Sequence, residues 1–326
     1  MEIGKVPETV LKRSVLKKIN VKRPEILVHA GIGEDCAVLA PTEDAIVLST
    51  DPITGTAKDI GKLAFHITAN DIAASGAELI GILLTIIFPP ENSEEELRSI
   101  MEDVTGLADQ YQVEILGGHT EVSEAVNQTL VSVTGVGRIA EGKVVRTGGL
   151  KPNHELVVTK WIGLEGSSIL AKEKEEELKK QLPAEMIETA KRFDECLSVV
   201  PDSKIAMEVG VSAMHDVTEG GIFGALWEMA AASGVGLEID LKKIPIRQET
   251  IEVCEVFDIN PYMLISSGAM LIGTEYGHKL VEALERAGIH AAVIGYATAD
   301  NDRVIINGEE RRFLEPPKAD ELFRVL

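Results

Sequence analysis

Apolar positions alternate along the whole chain between spacings of three to four residues and of two, which predicts a mixed α and β protein rather than a stacked repeat. Val10, Leu11, Val15 and Leu16 share one stripe, so a helix is expected over 7–19. A strand is predicted over 45–49, closing in the polar step Thr50-Asp51-Pro52. The next helix spans 59–75, with Ile60, Leu63, Ala64, Ile67 and Ile72 as its apolar side and Gly76 as its stop. The nearly unbroken apolar run 79–88 predicts a buried strand, and Asn92-Ser93 caps a helix over 94–110 whose first turn is acidic. A short strand over 113–116 is expected to enter a turn at Gly117-Gly118-His119-Thr120, and 129–138 alternates like a strand.

Turn formers concentrate over 148–153, which places a domain boundary between 1–148 and 149–326. Beyond it a strand over 155–160 leads to a predicted loop, Gly163-Leu-Glu-Gly166-Ser167-Ser168. The charge run 173–180 reads as a solvated helical face, and 183–209 as largely helical. A strand over 211–214 feeds His215-Asp216-Val217-Thr218-Glu219-Gly220-Gly221, followed by a helix with Ile222, Leu226, Met229 and Ala230 on one side. Strands near 236–239, 269–272, 291–297 and 303–306 surround a helix over 277–287, so both halves are α/β layers.

Composition narrows the partners. The 326 residues carry 32 basic against 53 acidic side chains, a formal charge of −21, which disfavours nucleic acid and anionic membrane surfaces. The three cysteines, Cys36, Cys196 and Cys254, form no CxxC pair and fit a reducing compartment. No apolar run is long enough to cross a bilayer, and the first residues lack a signal-peptide core, so a cytoplasmic protein is expected.

Gly55 to Leu63 resembles a Walker A loop but has five residues between its glycines and Leu63 where a hydroxyl is needed. GxGxxG, GxSxG, HExxH and paired-cysteine zinc spacings are absent. What remains are acids at strand ends or in glycine-flanked turns: Glu34-Asp35, Asp51, Asn70-Asp71 and Asp216. Such oxygen ligands suit Mg²⁺ bridging carboxylates to phosphates, and the Gly117-Gly118 and Gly220-Gly221 turns offer N–H groups to phosphate oxygens. Each also has a plainer use, as a turn former or helix cap, with Thr218 and Glu219 capping the following helix. His66 reads as a packed core residue, and His154, His278 and His290 as surface or turn positions, whereas His119 sits beside Thr120 and Glu121 in the glycine turn.

The ordered series GIGEDCAVL (31–39), STD (49–51), ITANDIAASGAE (67–78), LGGHTEV (116–122), VTGVGRI (133–139), HDVTEGG (215–221) and SSGAMLI (266–272) resembles the AIR synthase (PurM-like) superfamily. Within it the chain looks most like the hydrogenase maturation factor HypE and HypE-like proteins. The resemblance implies an N-terminal ATP-binding domain pairing across a two-fold axis into a dimeric β-barrel, an α/β C-terminal domain, and ATP with Mg²⁺ between them. By motif, Asp35, Asp51, Asp71 and Asp216 would hold the metal, with Asp51, Asp71 and His119 at the reacting centre. Gly117, Gly118, Thr120, Arg146, Glu219, Gly220 and Lys62 would contact the nucleotide. The implied chemistry is transfer of the ATP γ-phosphate to an acceptor oxygen, often an amide, on a small molecule or a protein tail. Three departures stand out: His119 replaces a common acid, a helix-forming segment opens the chain, and it ends in Phe323-Arg324-Val325-Leu326 where HypE carries a reactive cysteine. The alternatives are a kinase or ligase resembling thiamine-monophosphate kinase, or a silent ATP-binding regulator.

Overall fold

The computed structural model describes residues 4–5, 8–20, 23–28, 38–39, 44–53, 59–140, 142–315 and 319–326. The chain divides into two compact units, one of 1–72 with 77–143 and one of 73–76 with 144–326.

The first unit contains β1 (Gly4–Lys5), α1 (Glu8–Ser14), β2 (Ile26–Val28), β3 (Val38–Leu39), β4 (Ala45–Ile53), α2 (Ile60–Ala74), β5 (Glu78–Phe88), α3 (Glu94–Tyr111), β6 (Glu114–Val122) and β7 (Leu130–Ile139). Five strands form a sheet in the order β1-β6-β5-β7-β4, and β2 pairs with β3. Along β5, Ile82, Leu84, Ile86 and Phe88 are buried while Leu83, Thr85 and Ile87 are only half-buried, the period-two pattern of a sheet with one covered face. The cap predicted for α3 is a full capping box, with the Ser93 hydroxyl accepting from the Glu96 N–H and the Glu96 carboxylate accepting from the Ser93 N–H.

Two sequence expectations need correction here. The strand predicted to end at Ser49 continues to Ile53, paired with β7 throughout, so Asp51 lies inside β4. Pro52 does not interrupt it because β4 is the last strand of the sheet, where a missing N–H costs no ladder bond. Gly117-Gly118-His119-Thr120 is likewise no turn: β6 runs through it, parallel to β5. The backbone of β5 passes so close that a Cβ at Gly118 would collide with the Leu84 carbonyl oxygen.

The second unit contains β8 (Glu155–Thr159), α4 (Leu164–Glu173), α5 (Glu175–Leu178), α6 (Ala184–Lys191), α7 (Val200–Val209), β9 (Ala213–Asp216), α8 (Gly221–Ser233), β10 (Gly236–Asp240), α9 (Gln248–Phe257), β11 (Met270–Thr274), α10 (Gly277–Arg286), β12 (Ala291–Thr298), β13 (Arg303–Asn307) and β14 (Glu310–Phe313). Seven strands run in the order β14-β13-β10-β12-β8-β11-β9. Leu156, Val158 and Leu271 of the sheet pack with Ile222, Leu226 and Met229 of α8 in one core. The predicted loop 163–168 is instead the start of α4, whose small residues Gly166, Ser167 and Ser168 are buried. Polar-looking residues there serve close packing, which periodicity alone does not reveal. The charge run is solvated as expected: Lys179 and Lys191 both pair with Glu175, at 3.0 and 2.8 Å.

Candidate functional site

In the first unit, β4 and α2 bring two acids to one hydroxyl. Ser49 and Asp51 alternate with exposed Thr50 and Pro52, so both face the side of the sheet where α2 packs. The Ser49 hydroxyl is hydrogen-bonded to the Asp71 carboxylate on α2 and lies 3.3 Å from Asp51 Oδ2. A serine has one proton to donate, so two carboxylates converging on one Oγ leave negative charge in excess at that point. That is a donor set for a hard cation: Mg²⁺ takes one or two carboxylates and completes its shell with water and phosphate oxygens. Among the described residues no group of three or more His, Cys, Asp or Glu side chains forms a metal cluster, so this pair is the whole of the described donor set. Asp35 lies outside the described residues. Ser49, quoted in the STD motif without a role of its own, is the residue that joins the two acids.

His119 is elsewhere. On β6 it pairs in register with Thr85, whereas Thr120 pairs with buried Ile86, so the two residues point to opposite faces. His119 Nε2 sits 3.1 Å from Glu121 Oε2 on the face away from α2. Within one chain the sheet therefore separates His119 from Asp51 and Asp71. Lys62 pairs with Asp59 at 3.3 Å in the first turn of α2. Nine residues of helix rise roughly 13 Å, which keeps Lys62 well away from Asp71.

In the second unit Asp216 is the buried last residue of β9, and Arg146 is exposed before the Thr147–Gly149 turn. Gly220, rather than Thr218, caps α8, with φ 78° in the left-handed region. Its N–H, expected to face a phosphate, donates to Asp320 Oδ2 at 2.7 Å, and the other oxygen of Asp320 accepts from Leu322 N at 2.8 Å. An internal carboxylate thus takes the place proposed for an external anion. His154 also departs from expectation: it is buried, with Nδ1 2.7 Å from Ser212 Oγ, because β8 begins beside it. His66 is packed edge-on against Phe65 and Tyr111, as read from the sequence.

Glu165 is a residue the predicted loop concealed. It is buried in α4, accepts from Ser267 N at 3.3 Å, and its carboxyl is pushed up to about 7, by burial first and by Glu219 and Asp320 in addition. The folded chain holds this proton more tightly than the unfolded chain, so the stability it contributes is full below the ordinary value of 4.5 and is lost as pH rises through about 7. Glu165→Gln should remove that dependence. The stability difference between wild type and variant, followed by urea unfolding from about pH 5 to about pH 8, should shift by up to about 3 kcal/mol in favour of the variant. A constant difference would show that Glu165 stays ionised in the fold.

Comparison with known proteins follows the same two-part division. Residues 33–139 match the AIR synthase related protein N-terminal domain, and 151–307 match the C-terminal domain. The chain belongs to the AIR synthase related family. A Methanocaldococcus jannaschii protein named for hydrogenase expression/formation is 29% identical over 99% of this chain and 97% of its own length. Carbamoyl dehydratase HypE of Rhodobacter capsulatus is 28% identical over 84% of this chain and 80% of its own. Thiamine-monophosphate kinase of Methanospirillum hungatei is 34% identical over 66% of this chain and 71% of its own. The crystal structure of hydrogenase maturation protein HypE in complex with ATP superposes with a TM-score of 0.80, at 20% identity, covering 97% of this chain and 96% of that one. The two-domain PurM-like fold expected from the motifs is thereby established for this AIR synthase related chain, and two of these relatives, the carbamoyl dehydratase and the kinase, are named as enzymes.

Proposed function

We propose that this AIR synthase related protein is an ATP-dependent enzyme that phosphorylates an acceptor oxygen, as its carbamoyl dehydratase and kinase relatives suggest. The observation that carries the reading is the meeting of Asp51 and Asp71 at the Ser49 hydroxyl. Bound Mg²⁺ would neutralise charge on the triphosphate. Transfer of a phosphoryl group needs alignment and electrostatic stabilisation more than a protein nucleophile. Ser49 fixes the two carboxylates, and Gly117, Gly118 and Thr120 lie on β6, separated from β4 by β5 and β7 in the same sheet, where the far end of the nucleotide would lie. Asp216, Glu219, Gly220 and Arg146 belong to the second unit, and the metal pair does not depend on them.

The described cysteines do not fit a carrier of the acceptor group. Cys254 is buried and its thiol is pushed up to about 12 by that burial, and burial also raises Cys196, so neither is a thiolate near neutral pH. That favours an acceptor carried by a small molecule or by the tail of another protein over one carried on Cys196 or Cys254. Phosphate release from ATP and Mg²⁺ against carbamoyl compounds, thiamine monophosphate and cysteine-ended peptides tests the reading. Stimulation by one acceptor supports it, and ATP binding without turnover on any of them favours a regulator.

The face of the first sheet opposite α2 supports the homodimer implied by the family. Leu48 is 67% exposed and Ile46 46%, beside the cluster of Ile80, Leu116 and Val136 on the same sheet. Covering one such leucine is worth roughly 1.5–3 kcal/mol, and two-fold symmetry counts it twice. Leu48→Asp should convert a dimer to monomer in light scattering, while an unchanged mass would place any interface elsewhere.

A further inference from the structure

The register at the edge of the second sheet builds a cavity beside Gly220, whose N–H is already held by Asp320 and is not offered to a phosphate. Ile305 of β13 pairs with Arg312 of β14, so both present side chains to one face. Phe223 and Trp227, one turn apart on α8, meet that face: the Arg303 guanidinium stands 4.1 Å from the Trp227 ring centre, and that of Arg312 5.9 Å from Phe223. Tyr262 stacks on Phe223 with ring centres 5.2 Å apart and planes 11° from parallel. A cavity of about 240 Å³ lies here, lined among others by Phe223, Asn260, Met263, Ile305, Arg312 and Glu315.

Its size and chemistry limit what fits. Small-molecule pockets begin at roughly 300 Å³, so this one suits a ligand of one or two rings. The stacked Phe223 offers a flat aromatic wall. Arg311 pairs with Glu238 at 2.9 Å, whereas among the described residues Arg312 makes no ion pair and stands over the Phe223 ring, close to Tyr262. In a chain of charge −21 a guanidinium that reaches an aromatic cavity without an ion-pair partner among the described residues is unusual, and its planar fork matches a carboxylate. Asn260 Oδ1 already accepts from Tyr262 N at 3.1 Å, which leaves the amide NH₂ as the group it can offer, a second donor. Glu315 on the same lining disfavours a doubly charged anion.

We propose that this cavity is a binding site for a small planar aromatic monocarboxylate. Calorimetric titration of the full chain with indole-3-acetate, indole-3-acetamide and cyclohexanecarboxylate tests it without any nucleotide, so the outcome is independent of the ATP reading. Indole-3-acetate should bind at least about tenfold more tightly than the amide, which lacks the charge, and than the cyclohexane acid, which lacks the ring. Arg312→Ala should lose at least about tenfold in affinity and Arg311→Ala none, with Phe223→Leu giving a loss like that of Arg312→Ala at an unchanged unfolding temperature. Absence of binding by the acid, equal binding of acid and amide, or equal effects of the two arginine substitutions would overturn the proposal.

Discussion

Asp51→Asn should weaken Mg²⁺-dependent ATP binding by at least about 100-fold, or ~2.8 kcal/mol, while leaving the unfolding transition in place. Two carboxylates at one hydroxyl repel each other, and a bound divalent cation would relieve that repulsion. Replacing one by an amide would remove half of the described anionic charge offered to a metal and leave the neutral oxygen of Asn as a poor substitute. The fold should survive because Asp51 is half-buried at the last strand of the sheet, and Asn can keep the Ser49 contact. Asp71→Asn should behave alike. Ser49→Ala keeps both charges and loses only their alignment, so about a tenfold loss is expected. Titration with a nonhydrolysable ATP analogue, with and without Mg²⁺, separates these cases. Unchanged affinity in Asp51→Asn would remove the metal pair from the mechanism, and equal loss without Mg²⁺ would show that Asp51 meets the nucleotide directly.

The same pair shows what the sequence reveals and what it withholds. Helix α3 was legible to its capping box because Ser93 and Glu96 are local signals, and the apolar run of β5 was legible because burial on the covered face writes itself into composition. Motif order identified the family and pointed to Asp51 and Asp71, but the serine between them is visible only when β4 and α2 are brought together across 22 residues. Strand parity was the information missing for His119: placed in a turn, it could face either way, but on β6 it is fixed to the side opposite Asp51. Gly163 to Ser168 read as a loop since small polar residues make turns, yet in α4 they make room for close packing and bury Glu165. The occupation of the Gly220 N–H by Asp320 spans 100 residues and has no local trace. Local rules give elements and their caps; which acid meets which partner is set by register and long-range packing.

Gly118→Ala should cost more than about 4 kcal/mol, enough to unfold a marginally stable chain, and Gly117→Ala much less. Both glycines lie at nearly the same backbone angle, φ 150° and 149°, where an L side chain is strained by roughly 1–3 kcal/mol. Their surroundings differ. A Cβ at Gly117 would meet only Leu83 Cδ2, at 3.8 Å, an ordinary contact. At Gly118 it would run into the Leu84 carbonyl oxygen, with the Leu84 nitrogen 2.8 Å away, and backbone of a central strand cannot swing aside as a side chain can. Relief requires β6 to separate from β5, which breaks the parallel ladder around the Leu84–Gly118 pairing and disturbs the covered face where Ile86 and Phe88 are buried. Urea unfolding of the two variants isolates the collision from the shared backbone strain. Similar modest losses in both would mean that β6 departs from this register, and with it the placement of Thr120 on the Asp51 side and His119 on the other.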